Sequence, residues 1–192
     1  MIAILNYNAG NIQSVQNAVR RLGYESKVTD SEEDILAAEK VIIPGVGQAG
    51  SAMKYLRERK LDQTIISLKQ PVLGICLGLQ LMCSLSYEGC VRCLGIFDAV
   101  VKKFPPFEKV PHMGWNSFSA LKGTLFKGVR ADEDVYYVHS YYAEITDFTL
   151  AICDYVLPFS AAMHKENFYA VQFHPEKSAD TGVKILKNFL EL

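Results

Sequence analysis

No stretch of this sequence interleaves lysine and arginine with aromatics, and the formal net charge is −1, so nucleic acid is not an expected partner. No apolar run approaches the roughly 20 residues that a membrane-spanning helix requires, so no membrane is expected either. Met1-Ile2-Ala3-Ile4-Leu5 lacks the basic residues that open a secretory signal and reads as a first strand. Cysteine is sparse. Cys76, Cys83, Cys90, Cys93 and Cys153 are too few in 192 residues for a disulfide scaffold and read as thiols of a reducing cytosol. Internal repeats, low-complexity tracts and linkers long enough to separate domains are missing too. What is present, 49% hydrophobic and 21% charged residues, fits one globular α/β domain over 1–192.

The chain is organised around Pro71-Val72-Leu73-Gly74-Ile75-Cys76-Leu77-Gly78-Leu79-Gln80-Leu81. A short aliphatic run, as of a buried strand, leads into Gly74-x-Cys76-x-Gly78 and then an apolar helical segment. This is the sulfur counterpart of a nucleophile elbow, a tight strand-to-helix turn that presents one reactive side chain. Gly74 and Gly78 stand where backbones must approach closely. Cys76 heads the following helix, where free N–H groups favour a thiolate. The plainer account is a buried strand ending in an inert core cysteine. A nucleophile requires a base elsewhere in the chain.

Before the elbow, strands and helices alternate. Ile2 to Leu5 reads as a strand; the Asn6–Asn11 loop follows; Ile12, Val15, Val19 and Leu22 share one helix face that Gly23 ends. Glu25 to Thr29 is a second strand, Ser31 caps a short helix with Asp34 three residues on, and Val41-Ile42-Ile43 is a third strand running into Pro44-Gly45-Val46-Gly47. Met53, Leu56 and Leu61 line the next helix. The pattern predicts an open, mostly parallel sheet with helices on both faces, whose ligands bind beyond the carboxyl ends of its strands. The Asn-Gly loop, the Pro44–Gly47 loop and Cys76 all fall at such ends.

The second half reads differently. Prolines 105, 106 and 111 interrupt it, and Val135–Tyr142, Leu150–Asp154, Ser160–His164 and Phe168–Phe173 read as further strands, with a hairpin turn at Lys165-Glu166-Asn167. These are expected to add antiparallel strands to the sheet. A last helix carries Val183, Leu186, Phe189 and Leu190 on its apolar face. Phe173-His174-Pro175-Glu176 offers an imidazole and a carboxylate two residues apart, with Pro175 stiffening the backbone between them. Cysteine nucleophile, histidine base and carboxylate orienter form a complete set.

Gly74-Ile75-Cys76-Leu77-Gly78-Leu79-Gln80 together with Gln172-Phe173-His174-Pro175-Glu176 resembles the triad-type, class I glutamine amidotransferases, whose fold is flavodoxin-like. Pro44-Gly45-Val46-Gly47, Pro111-His112-Met113-Gly114-Trp115-Asn116 and Tyr136-Tyr137-Val138-His139-Ser140-Tyr141 resemble more narrowly the glutaminase subunits of imidazole glycerol phosphate synthases, in order and over the whole chain. The resemblance implies that Cys76 attacks the carboxamide carbon of glutamine, that His174 shuttles the proton, and that Glu176 orients the imidazole. It implies oxyanion donors at the Leu77 N–H and in the Val46–Gly47 loop. It implies substrate contacts at Gln80 and Glu88 and at the backbone of His139, Ser140 and Tyr141. It implies no cofactor and no metal. It implies a heterodimer with a (β/α)₈-barrel synthase that receives the ammonia, with Asn11, Met113, Trp115 and Tyr137 toward that partner, in cytoplasmic histidine biosynthesis.

The first loop departs from the family by opening on Asn6 rather than an acidic residue, and Gln48-Ala49 replaces the usual Ala-Phe. Cys90-Val91-Arg92-Cys93 has metal-site spacing but no second pair of ligands nearby. His112 and His164 read as structural or surface residues. Open alternatives are the glutaminase of another amidotransferase, of anthranilate or pyridoxal phosphate synthase type, a cysteine peptidase on a similar sheet, and a non-catalytic binding module. The Val46 loop, Gly114-Trp115-Asn116, and the pairing of Gln80 with Glu88 weigh for the first reading.

Overall fold

The computed structural model describes residues 1–7 and 10–192; Asn8 and Ala9 of the first loop lie outside the described residues. The elements run β1 (Ile2–Leu5), α1 (Ile12–Arg21), β2 (Ser26–Thr29), α2 (Glu32–Ala37), β3 (Lys40–Ile43), α3 (Ala49–Glu58), α4 (Leu61–Ser67), β4 (Val72–Ile75) and α5 (Leu77–Met82). There follow β5 (Leu85–Ser86), β6 (Val91–Arg92), β7 (Val100–Lys103), β8 (His112–Asn116), β9 (Ala120–Leu121), β10 (Val135–His139), β11 (Tyr141–Ala143), β12 (Thr149–Tyr155), β13 (Leu157–Lys165), β14 (Phe168–Val171) and α6 (Ala179–Leu190).

The main sheet has eight strands in the order β2-β1-β3-β4-β14-β13-β12-β9. Its first five are mutually parallel, and β13, β12 and β9 are antiparallel additions. Side chains of a strand alternate between faces, and β1 shows the outcome: Ala3 and Leu5 join one apolar cluster with α2, α3, α4 and α5, while Ile2 and Ile4 join the other with α1 and α6. The mixed α/β architecture with helices on both faces is the one the sequence predicts. Two small sheets, β8 with β10 and β11-β7-β5-β6, complete the fold.

Local signals work where they are strong. Gly23 ends α1 at φ 86°, a left-handed conformation, and the N–H of Asp34 donates to Ser31 Oγ at the head of α2. Four expectations need correction. Leu61 does not extend α3; Lys60 turns left-handed at φ 59° and Leu61 opens α4, still buried. Val135–Tyr142 is not one strand, because it breaks at Ser140 and β10 and β11 pair in different sheets. In α6, Ile185 takes the buried position and Val183 faces outward. Tyr137 does not face a partner. The alternation of β10 buries Val135, Tyr137 and His139, and Tyr137 stacks on His112 at 4.8 Å, so Tyr136 is the outward aromatic, edge-on to Trp115 at 5.9 Å.

Candidate active site

Cys76 sits between β4 and α5 at φ 54°, ψ −104°, a conformation costly for a residue with a side chain. Two glycines make the turn feasible. A Cβ on Gly74 would stand 2.8 Å from the carbonyl of Gly78, and one on Gly78 would stand 2.0 Å from the carbonyl oxygen of Ile43 in β3. The elbow is locked from the other side by β14, since the Cys76 N–H donates to Val171 O at 2.8 Å.

Three residues past β14 comes His174. Its N–H donates to Tyr136 O at 2.9 Å, and Ser178 completes a clamp: its hydroxyl donates to His174 O at 2.6 Å and accepts from the Tyr136 N–H at 2.9 Å. Imidazole Nδ1 and Glu176 Oε1 are 2.8 Å apart, and both side chains are fully buried. Burial alone would push the imidazole down, but the Cys76 sulfur and the Glu176 carboxylate outweigh it and hold His174 above the ordinary histidine range. Among the described residues Nε2 makes no hydrogen bond. With Nδ1–H committed to the carboxylate, Nε2 is the nitrogen available for proton exchange. Asn11, read from sequence as a partner-facing residue, donates from Nδ2 to the same Glu176 oxygen.

A cavity of about 310 Å³ opens beside the sulfur, lined by Cys76, Val46, Gly47, Leu77, Gln80, Glu88 and the segment Val138–Tyr141, with Pro111 at its edge. The substrate residues expected from sequence are thus brought together, and His174 and Glu176 stand outside this lining. Glu88 Oε2 accepts from the Ala49 N–H at the head of α3, 2.8 Å, which leaves Oε1 without a protein donor among the described residues. Gln80 Nε2 donates to Tyr141 O at 3.0 Å and to Gln172 Oε1 at 3.1 Å. Tyr141 O also accepts from His139 Nδ1 at 2.8 Å, and His139 Nε2 meets His112 Nδ1 at 3.1 Å. A carbonyl can only accept, so His139 carries its proton on Nδ1 and His112 donates to it. Both rings are neutral, pushed down by burial to about 4 for His112 and about 3 for His139.

The Leu77 N–H does not point into free space: it donates to Gly45 O at 3.3 Å. The Pro44–Gly47 loop is tied to the first loop by Tyr7 Oη donating to Pro44 O and the Gly10 N–H donating to Val46 O at 3.2 Å. In this arrangement the Gly45 carbonyl oxygen caps the Leu77 N–H. Gly47, at φ 141°, holds a backbone conformation in this loop that residues with a side chain rarely adopt. A second cavity, about 180 Å³, lies against the same Val46–Gly47 segment and reaches Tyr7 and Lys54.

Cys90 is exposed and Cys93 half-buried, with its thiol pushed up by burial to about 11. Among the described residues no three His, Cys, Asp or Glu side chains converge as metal ligands would, and no helix is long and apolar enough to cross a membrane. Sequence reading missed Gln172, Ser178 and the contact of Asn11 with the carboxylate. Only Gln172 carries a local signal, its i, i+2 spacing from His174.

The family model for glutamine amidotransferase class-I matches residues 3–192. Imidazole glycerol phosphate synthase subunit HisH of Bacteroides fragilis is 60% identical over 194 residues, covering 100% of this chain and 99% of that protein. The subunit HisH of Escherichia coli K12 is 46% identical with the same coverage. The crystal structure of a putative GMP synthase component from Thermoplasma acidophilum superposes with a TM-score of 0.77 at 20% identity, covering 99% of this chain and 92% of that one, which speaks for the fold alone. Matches of this length leave no part of the elbow, the His-Pro-Glu turn or the rim loops outside the aligned region, and the chain belongs to the class-I glutamine amidotransferase family, among its HisH members.

Proposed function

We propose that this chain hydrolyses glutamine to glutamate and ammonia and passes the ammonia to a (β/α)₈-barrel synthase subunit in cytoplasmic histidine biosynthesis. The observation that carries the reading is the strained Cys76 elbow facing a buried His174–Glu176 pair, beside a cavity sized for a free amino acid. Glutamine enters with its ammonium toward Glu88 Oε1 and its carboxylate toward the backbone of Ser140 and Tyr141. Cys76 gives its proton to His174 Nε2 and attacks the carboxamide carbon. Glu176, itself held by Asn11, fixes the imidazole tautomer and supports the imidazolium. His174 returns the proton to the departing ammonia, and water then cleaves the thioester.

The tetrahedral intermediate requires N–H donors. Turning over the Gly45–Val46 peptide would withdraw the carbonyl from the Leu77 N–H and aim the Val46 N–H at the same point. We assign this turnover to binding of the loaded synthase, so that ammonia forms only when an acceptor waits. Support for the docking face comes from β8 and β10, whose outward residues are Met113, Trp115, Tyr136 and Val138. Met113 and Trp115 are 61% and 54% exposed, large values for such side chains. Val138 also lines the glutamine cavity, so that face and the cavity adjoin. The acceptor reaction would convert the phosphoribulosyl-formimino carboxamide ribonucleotide to imidazole glycerol phosphate and aminoimidazole carboxamide ribotide.

The test measures glutamate release by the chain alone, with the synthase, and with synthase plus its nucleotide ligand. Cys76→Ala should abolish glutaminase activity and leave ammonia-dependent synthesis by the partner intact. An alanine variant that still hydrolyses glutamine, or an isolated chain running at full rate, would overturn the corresponding part of the reading.

A further inference from the structure

Gln172 is fully buried, polar, and two residues before the catalytic histidine. Val171 and Phe173 join the cluster shared with α1 and α6, while Gln172, in the bend that follows β14, turns its amide to the elbow. Gln172 Nε2 lies 3.6 Å from Cys76 Sγ, within hydrogen-bond range for a sulfur acceptor.

The orientation of this amide follows from its partners. Tyr141 O, which can only accept, takes one N–H of Gln80. The other N–H of Gln80 meets Gln172 Oε1 at 3.1 Å. That contact forces Gln172 to present its oxygen to Gln80 and therefore its NH₂ to the sulfur. A flipped Gln172 would set nitrogen against nitrogen at Gln80 and a carbonyl oxygen against the sulfur, leaving two buried groups unmatched.

We infer that Gln172 is a catalytic residue of the glutaminase centre, an N–H donor to Cys76 Sγ that favours the thiolate, and that the chain Tyr141 O–Gln80–Gln172–Cys76 ties the substrate carboxylate strand to the nucleophile. Thiol and thiolate both have lone pairs for this N–H, but a hydrogen bond to the anion is charge-assisted and the stronger of the two, so the donor favours ionisation. The other titratable groups facing Cys76 are His174 and Tyr7. Burial holds the Tyr7 phenol neutral, and its hydroxyl is committed to Pro44 O. Gln172 is thus a donor to the sulfur that stays uncharged at every working pH. The inference rests on Cys76 as nucleophile.

The experiment reads the thiol directly, using iodoacetamide alkylation of Cys76 followed by mass spectrometry of its peptide, from pH 5 to 9, on the full chain. Gln172→Glu keeps the shape and replaces the donor by an acceptor; Gln172→Met removes the donor without adding charge. Both should alkylate at Cys76 at least tenfold more slowly at pH 7, with the profile moved to higher pH, and kcat for glutamine should fall more than KM rises. Alkylation of the folded variants at the wild-type rate, with an unmoved profile, would overturn the proposal. Should neither variant fold, the wild-type chain supplies the answer. One of the two Gln172 side-chain amide protons should shift in nitrogen-15 NMR as Cys76 ionises, and should stay still in Cys76→Ala; no such shift refutes the hydrogen bond. If Cys76→Ala retains glutaminase activity, the nucleophile assignment itself fails. If it does not, and alkylation ignores Gln172, only the role of Gln172 falls.

Discussion

The same substitution, glycine to alanine, should have opposite effects at two helical positions of this chain. At Gly78 the new methyl would stand 2.0 Å from Ile43 O and 3.1 Å from its carbonyl carbon. Non-bonded heavy atoms settle at about 3.5 Å, so α5 must retreat from β3 by roughly 1.5 Å. The obstacle is backbone, which cannot rotate aside, and β3 is held between β1 and β4. Overpacking of this kind costs about 1–3 kcal/mol, and the rigid neighbours put Gly78→Ala at the upper end or beyond. Activity should suffer more than stability, because Cys76 rides on the displaced helix and a misplacement of about 1 Å costs on the order of a hundredfold in rate. Gly50, inside α3, is the control: its added Cβ would meet only the side chain of Gln48, at 3.5 Å. There alanine should stabilise by up to about 1 kcal/mol through helix propensity. Urea melts of both variants, with glutaminase assays in the synthase complex, decide the matter. A Gly78→Ala protein as stable and as active as the parent would refute the claim that this contact sets the elbow.

Three further outcomes are expected. Glu88→Gln retains the acceptor for the Ala49 N–H but removes the charge facing the substrate ammonium. It should lower kcat/KM for glutamine by about 1.5–3 kcal/mol, and an unchanged value would exclude the role. Folded His112 and His139 titrate far below the unfolded value near 6.5, so stability present above pH 6.5 is lost as pH falls, by about 1.4 kcal/mol per ring per unit, or about 2 kcal/mol each at pH 5. His174, held high, acts with the opposite sign and only above pH 6.5, so urea melts between pH 6.5 and 5 isolate the pair, and equal stability across that window would contradict it. Gly47→Ala meets no side chain closer than 3.9 Å but strains φ 141°, which belongs to the arrangement in which Gly45 O caps the Leu77 N–H, so it should raise unstimulated glutamine hydrolysis and narrow the gain from the synthase while leaving the affinity of the two subunits nearly unchanged; an unaltered unstimulated rate would refute this.

Much of this was legible from local pattern. The aliphatic runs of β1, β3 and β4 and the spacing of Gly74, Cys76 and Gly78 speak for themselves, because a strand and its turn are written in consecutive residues. That Gln80, Glu88 and His139–Tyr141 line one cavity was legible only through likeness to a family, since nothing within each segment says that they meet. What stayed hidden depends on pairing between distant segments. Asn11 touches Glu176 across 165 positions, Gln172 reaches Cys76 across 96, and Ser178 serves His174 only because β10 runs beside it. Tyr137 was misplaced for a smaller reason: two adjacent tyrosines on a strand face opposite ways, and the register that chooses between them is fixed by β8.

The strand order has a consequence for how the protein comes into being. β14 is the last strand in the chain, yet it lies between β4 and β13 near the middle of the main sheet. While the chain emerges from the ribosome, β4 therefore presents an open parallel edge until about residue 171 has been made, and open edges invite association with other chains. The same strand brings Val171 O to the Cys76 N–H and carries His174 into place. A nascent or truncated chain that stops short of β14 thus has Cys76 but neither the backbone bond that holds its turn nor the histidine beside it, and the site is assembled only when the sheet closes.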